Sequence, residues 1–134
     1  MDEFSKHERL ILAVLEEAGE EHLSALVNTL EKRLLGNPPN RMQAVSTALT
    51  HLITRGLVRV ARFRDKIHRR LVPLSLPDSI SIVANLGSFL EWSHTDHIWR
   101  WKGGEPIADV VLTDSGMAAA REILSADGWP KEMS

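Results

Sequence analysis

The chain has 134 residues, a mass of 15.0 kDa and a formal net charge of −2, enough for one domain with its own hydrophobic core. Its hydrophobic fraction of 43% and charged fraction of 25% set aside a disordered or fibrous chain. There is no cysteine, which excludes a disulfide framework and a cysteine zinc site, and no apolar run is long enough to span a bilayer. The expectation is a cytoplasmic protein without a membrane partner. The N-terminal stretch mixes charges with its apolar residues and reads as a helix of the fold, not as a signal peptide.

Leu10, Ile11, Val14, Leu15 and Ala18 fall at helical spacing, and Gly19 follows as a stop. Leu12 lies off that stripe. Leu23, Leu26, Val27, Leu30 and Leu34 predict a second helix, with Lys32 and Arg33 in its last turn and Gly36 as its end. Asn37-Pro38-Pro39-Asn40 interrupts the pattern, and Asn40 is a favoured N-cap, so a third helix is predicted over 40–55. Its apolar stripe is Met42, Val45, Leu49, Leu52 and Ile53, which turns Gln43, Thr47, Thr50, His51 and Thr54 to the far side. Threonine has lower helix propensity than the Glu and Lys usual on solvated faces, and a surface contact would explain three of them there.

After Gly56 the pattern changes to strands. Residues 57–63 and 67–74 predict a hairpin turning at Arg64-Asp65-Lys66, its return strand made an edge by Pro73. Between residues 41 and 70 eight basic residues face Asp65 alone, although the whole chain is slightly acidic. Positive charge gathered on one hairpin favours a polyanionic partner. Asp78 then caps a predicted fourth helix running through Trp92. Ile98–Lys102 and Ile107–Leu112 predict a second hairpin, and Thr113 caps a final helix ending near Gly128. Leu74–Ser79 and Leu112–Gly116 share a faint similarity that we treat as chance.

The segment from Ala44 to Leu76 resembles the recognition helix and wing of winged helix-turn-helix regulators of the MarR-like and PadR-like kind. The matching residues are Val45-Ser46-Thr47-Ala48-Leu49, Leu52 and Gly56-Leu57-Val58, and Leu112-Thr113-Asp114-Ser115-Gly116 is similar to the Leu-Thr-x-x-Gly that follows the wing in those families. One departure is that about 35 residues separate the wing from that second piece, where the families have none. The resemblance implies a mainly α fold with small β-hairpins (α+β), a winged helix-turn-helix over 1–77 and a C-terminal helix–hairpin–helix extension over 78–134. It also implies a transcriptional regulator that binds double-stranded DNA specifically. Arg41, Gln43, Ser46, Thr47, Thr50 and His51 would meet the major groove, with Arg62, Arg64, Lys66, His68, Arg69 and Arg70 on the backbone or in the minor groove. The rival expectation is a winged-helix module that binds a protein partner.

The rest of the sequence offers little chemistry. His94-Thr95-Asp96-His97 lacks a further metal ligand at recognisable spacing and reads as a capped loop. The acidic residues Glu16, Glu17, Glu20, Glu21 and Glu31 read as solvated helix faces, and no nucleophile motif or phosphate loop is present, so neither an enzyme nor a cofactor is expected. Nothing specifies a small-molecule effector. Trp99 and Trp101 share one face of their strand and serve as core or as an interface. Because a single helix-turn-helix reads few base pairs, a homodimer is expected, with Leu12, Trp99, Trp101, Met117, Ile123 and Leu124 as its contacts.

Overall fold

The computed structural model describes residues 4–31, 34, 36–65, 70–104 and 108–127. Helix α1 (Lys6–Ala18) begins where Ser5 accepts a hydrogen bond from the Glu8 amide at 3.2 Å, and it ends at Gly19. All six residues from Leu10 to Leu15 are buried, so this helix is covered on every side. β1 (Glu20–His22) follows directly and leads into α2 (Leu23–Glu31). A three-residue strand is too short to leave a period in the sequence. Lys32 and Arg33, expected in the last turn of α2, lie outside the described residues.

Helix α3 spans Pro38–Thr54, two residues earlier than expected. Proline lacks an amide hydrogen and fixes φ near the helical value, so Pro38 and Pro39 fit the first turn instead of blocking it. The cap is therefore Asn37, whose side chain accepts from the Asn40 amide at 3.0 Å, and not Asn40. Gly56, at φ 76°, turns the chain out of α3 into β2 (Val58–Asp65), which pairs antiparallel with β3 (Arg70–Pro73). The expected turn residue Lys66 and its neighbours to Arg69 lie outside the described residues.

Two expectations for the next stretch are corrected. α4 (Leu76–Ala84) is capped by Ser75, not Asp78, and stops at Asn85. The Asn85 side-chain amide donates to the Ser81 carbonyl at 2.7 Å, while its backbone amide slips to Ile82 at 3.1 Å. A side chain that takes the i−4 carbonyl competes with the helix ladder and ends it. Only the single turn α5 (Leu86–Phe89) follows, and residues expected to be helical form β4 (Leu90–Ser93). β4 pairs with β5 (Ile98–Trp101), so the second hairpin turns at His94–His97, with Ser93 capping the turn through the Asp96 amide.

The strand expected to complete that hairpin, β6 (Asp109–Leu112), lies elsewhere. It runs antiparallel to both β1 and β2 at the middle of a four-stranded sheet ordered β1-β6-β2-β3. Pro73 is on the outer edge, as expected. α6 (Asp114–Asp127) follows β6 and packs on α1. The fold is thus α+β, and the segments 1–77 and 78–134 contribute to one sheet and one core.

The two sequence pieces that carry the resemblance meet at one junction. The Thr113 amide donates to the Leu57 carbonyl at 3.0 Å, and its hydroxyl donates to the Gly56 carbonyl at 2.7 Å while accepting from the Gly116 amide at 3.0 Å. Gly116 allows the approach: a Cβ there would stand 1.9 Å from the Leu57 carbonyl oxygen. In sequence, β3, α4, α5, β4 and β5 all come between the two halves of this junction. Ser75 and Thr113 each cap a helix directly after a strand, which accounts for the similarity between 74–79 and 112–116.

Candidate nucleic-acid interface

Of the α3 side chains expected at a groove, Gln43, Thr47 and His51 are exposed along one line, continued by Asn40 and Thr54. Gln43 Nε2 lies 3.4 Å from Thr47 Oγ1, so the two amide and hydroxyl groups already form a pair. Ala44 and Ala48 lie beside this line and, with the first turns of α1, floor a groove of about 560 Å³. An alanine methyl and paired hydrogen-bonding groups suit contact with base edges, including the thymine methyl.

The other helix residues are placed differently. Ser46 is buried at 8% exposure and donates to the Val83 carbonyl of α4 at 2.7 Å, so it does not face the groove. Thr50 is half-buried and returns its hydroxyl to the Ser46 carbonyl at 2.8 Å. Helix α4 covers this side of α3, and periodicity alone could not reveal a cover supplied from 30 residues further on. We expect Ser46→Ala to lower stability by about 1 kcal/mol and Thr47→Ala to change it by less than about 0.5 kcal/mol, as read by urea unfolding. Equal costs at both positions would contradict this division of the helix.

Charge is also redistributed. Arg41 pairs with Glu31, donates to the Gly36 carbonyl and stacks on Trp92 with its guanidinium 5.3 Å from the ring centroid. It belongs to a staple between α2, α3 and β4, not to the groove surface. Glu31 holds the other side of that staple, accepting from Trp99 Nε1 at 3.1 Å, so it is not the solvated residue expected. Arg55 stacks on Phe4 at 4.1 Å, and Arg59 donates to the Leu74 carbonyl at 3.2 Å. Three of the eight basic residues between 41 and 70 thus serve the fold. Arg62 is exposed on β2. Arg64 and Arg70 are in β2 and β3, their side chains undescribed, and Lys66, His68 and Arg69 lie outside the described residues.

The expected dimer residues are mostly spent inside the chain. Leu12 is fully buried within the core, on a helix that packs against α2, α3, α6 and the sheet. Trp99 and Trp101 are 6% and 8% exposed and Ile123 is 8% exposed, while Met117 and Leu124 are half-buried on α6. Trp99 is held by Asn28 of α2, whose side chain accepts from the Trp99 amide at 2.7 Å and donates to its carbonyl at 3.0 Å. Asn28 thus completes the free edge of β5 as a neighbouring strand would. Its sequence signal is a lone amide next to the apolar stripe of α2, which could equally be a solvated residue.

Two buried carboxylates escaped the sequence reading. Asp109, on the central strand, contacts His22 across the β1–β6 pair. Glu8 is 6% exposed at the start of α1 and lines the same groove as the exposed line of α3. Among the described residues no three His, Asp or Glu side chains gather to hold a metal, and no helix is long and apolar enough to cross a membrane. Neither a protein-family model, nor a curated protein, nor a solved structure matches the chain.

Proposed function

We propose that this is a cytoplasmic winged-helix protein that binds double-stranded DNA in a sequence-specific manner and regulates transcription. The observation that carries the reading is the exposed line Gln43, Thr47 and His51 on a helix otherwise packed by α1, α2, α4 and β2. A helix held so firmly, and polar without Glu or Lys along its free line, is suited to enter a major groove. The order α1-β1-α2-α3-β2-β6, with β6 between β1 and β2, supports the winged-helix reading. In that reading β6 is the returning strand, and residues 70–108 are an insertion into the wing. The Leu-Thr-x-x-Gly piece then follows its strand directly, and the departure noted above becomes an insertion between β2 and β6. Arg62 and the other cations of 62–70 supply phosphate contacts, and two copies joined through α6 would double the few base pairs that one α3 can read.

Fluorescence anisotropy with a duplex across a salt series tests the reading. With about five phosphate contacts, affinity should fall roughly 500-fold between 50 and 200 mM salt, and Arg62→Ala should flatten the logarithmic slope by about one unit. Absence of duplex binding at low salt is the result that sinks the reading and leaves the protein-binding module as the better account.

A further inference from the structure

We infer that Glu8 is a positioning residue that sets base selectivity through His51, an inference that rests on the DNA-binding reading above. Glu8 Oε1 lies 3.8 Å from His51 Nδ1, and Glu8 Oε2 lies 3.9 Å from Arg55 Nη1. The carboxylate is 93% buried by side-chain exposure, and among the described residues Oε2 has no hydrogen-bond partner. Burial of a carboxylate is costly unless compensating groups stand close to it, and the His51 ring and the Arg55 guanidinium, at the C-terminal end of α3, stand beside this one. His51 is 62% exposed at its side chain and lines the groove together with Glu8, Gln43, Thr47 and Ala44.

Two consequences follow for a bound duplex. A carboxylate repels phosphate, so the end of the groove floored by Glu8 takes base edges and not the sugar-phosphate backbone. The carboxylate, 3.8 Å from Nδ1, also biases the orientation of the imidazole electrostatically, without a direct hydrogen bond. A second-element acid would thereby weaken binding to DNA in general while sharpening the choice at one base pair.

The test selects preferred sites from a randomised duplex pool with the full chain, then measures affinity for the selected site, for its single-base-pair variants and for random duplex. Glu8→Gln is expected to bind random duplex roughly three- to tenfold more tightly, since a negative charge has left the DNA face. It should lose roughly tenfold discrimination at a single base pair, the same one at which His51→Ala loses it. In the His51→Ala background, Glu8→Gln should cause no further loss of discrimination. If Glu8→Gln melts below the assay temperature, Glu8→Asp replaces it: the charge is kept but withdrawn from Nδ1, so discrimination should fall without the gain on random duplex. A merely structural Glu8 would shift the melting temperature and leave the ratio between base pairs unchanged. Sequence-selective binding whose discrimination is untouched by Glu8→Gln or Glu8→Asp overturns this inference and leaves the DNA reading standing. Wild-type protein that holds no duplex at low salt overturns the DNA reading itself.

Discussion

Gly116→Ala is expected to cost this protein about 3–5 kcal/mol, a large share of the roughly 5–15 kcal/mol that holds a domain of this kind together. In an isolated helix the same change would help, since alanine exceeds glycine in helix propensity by about 1 kcal/mol. The sign reverses here because the added Cβ would lie 1.9 Å from the Leu57 carbonyl oxygen and 2.8 Å from its carbon. The two nearest atoms belong to the backbone, so a rotamer change of the third neighbour, the Leu112 side chain at 3.1 Å, cannot relieve the clash. The start of α6 must move off the Gly56-Leu57 turn, breaking the Thr113 hydrogen bonds that join α6 to the end of α3. Gly87→Ala is the control, because its Cβ would meet only Met42 Sδ at 4.0 Å. Urea midpoints should drop sharply for Gly116→Ala and stay or rise slightly for Gly87→Ala. A Gly116→Ala midpoint equal to wild type would contradict the junction geometry.

This junction also marks how far the sequence could be read. Periodicity located α1, α2, α3 and α6 because each keeps an apolar stripe over two or more turns, and the edge position of β3 was legible from Pro73. Strand partners were not legible. Residues 107–112 look like the natural return of 98–102, yet the nearer segment 90–93 takes that place once Asn85 stops the helix and leaves it extended. β6 is released to pair with β1 and β2, nearly 50 residues from the latter, where no local pattern could announce it. The basic hairpin and the line Gln43, Thr47 and His51 could be picked out from composition and spacing. The diversion of Arg41 to Glu31 and Trp92, of Ser46 to Val83 and the placing of Glu8 beneath His51 depend on elements brought together only by the fold.

Substitutions at Leu12 and Leu124 should separate core from association. Leu12 is fully buried between α1 and its neighbours, so Leu12→Ala should cost about 2–5 kcal/mol, and Leu12→Glu, which also buries a charge, should leave little folded protein. Neither should yield a folded monomer from a folded dimer, which is what a surface leucine would have given. Met117, Arg121 and Leu124 follow one line of α6, with Arg121 70% exposed at its side chain and 3.9 Å from Glu16. That line is what remains, among the described residues, of the expected contact surface. If two copies associate there by two-fold symmetry, each Leu124 meets α6 of the other copy, and Leu124→Glu brings like charges into the contact twice. Sedimentation equilibrium at micromolar concentration should then show a dimer for the wild type and a folded monomer for Leu124→Glu. A wild-type mass that stays at 15.0 kDa across the range would remove the dimer, and a Leu124→Glu protein that remains dimeric would move the contact to another face.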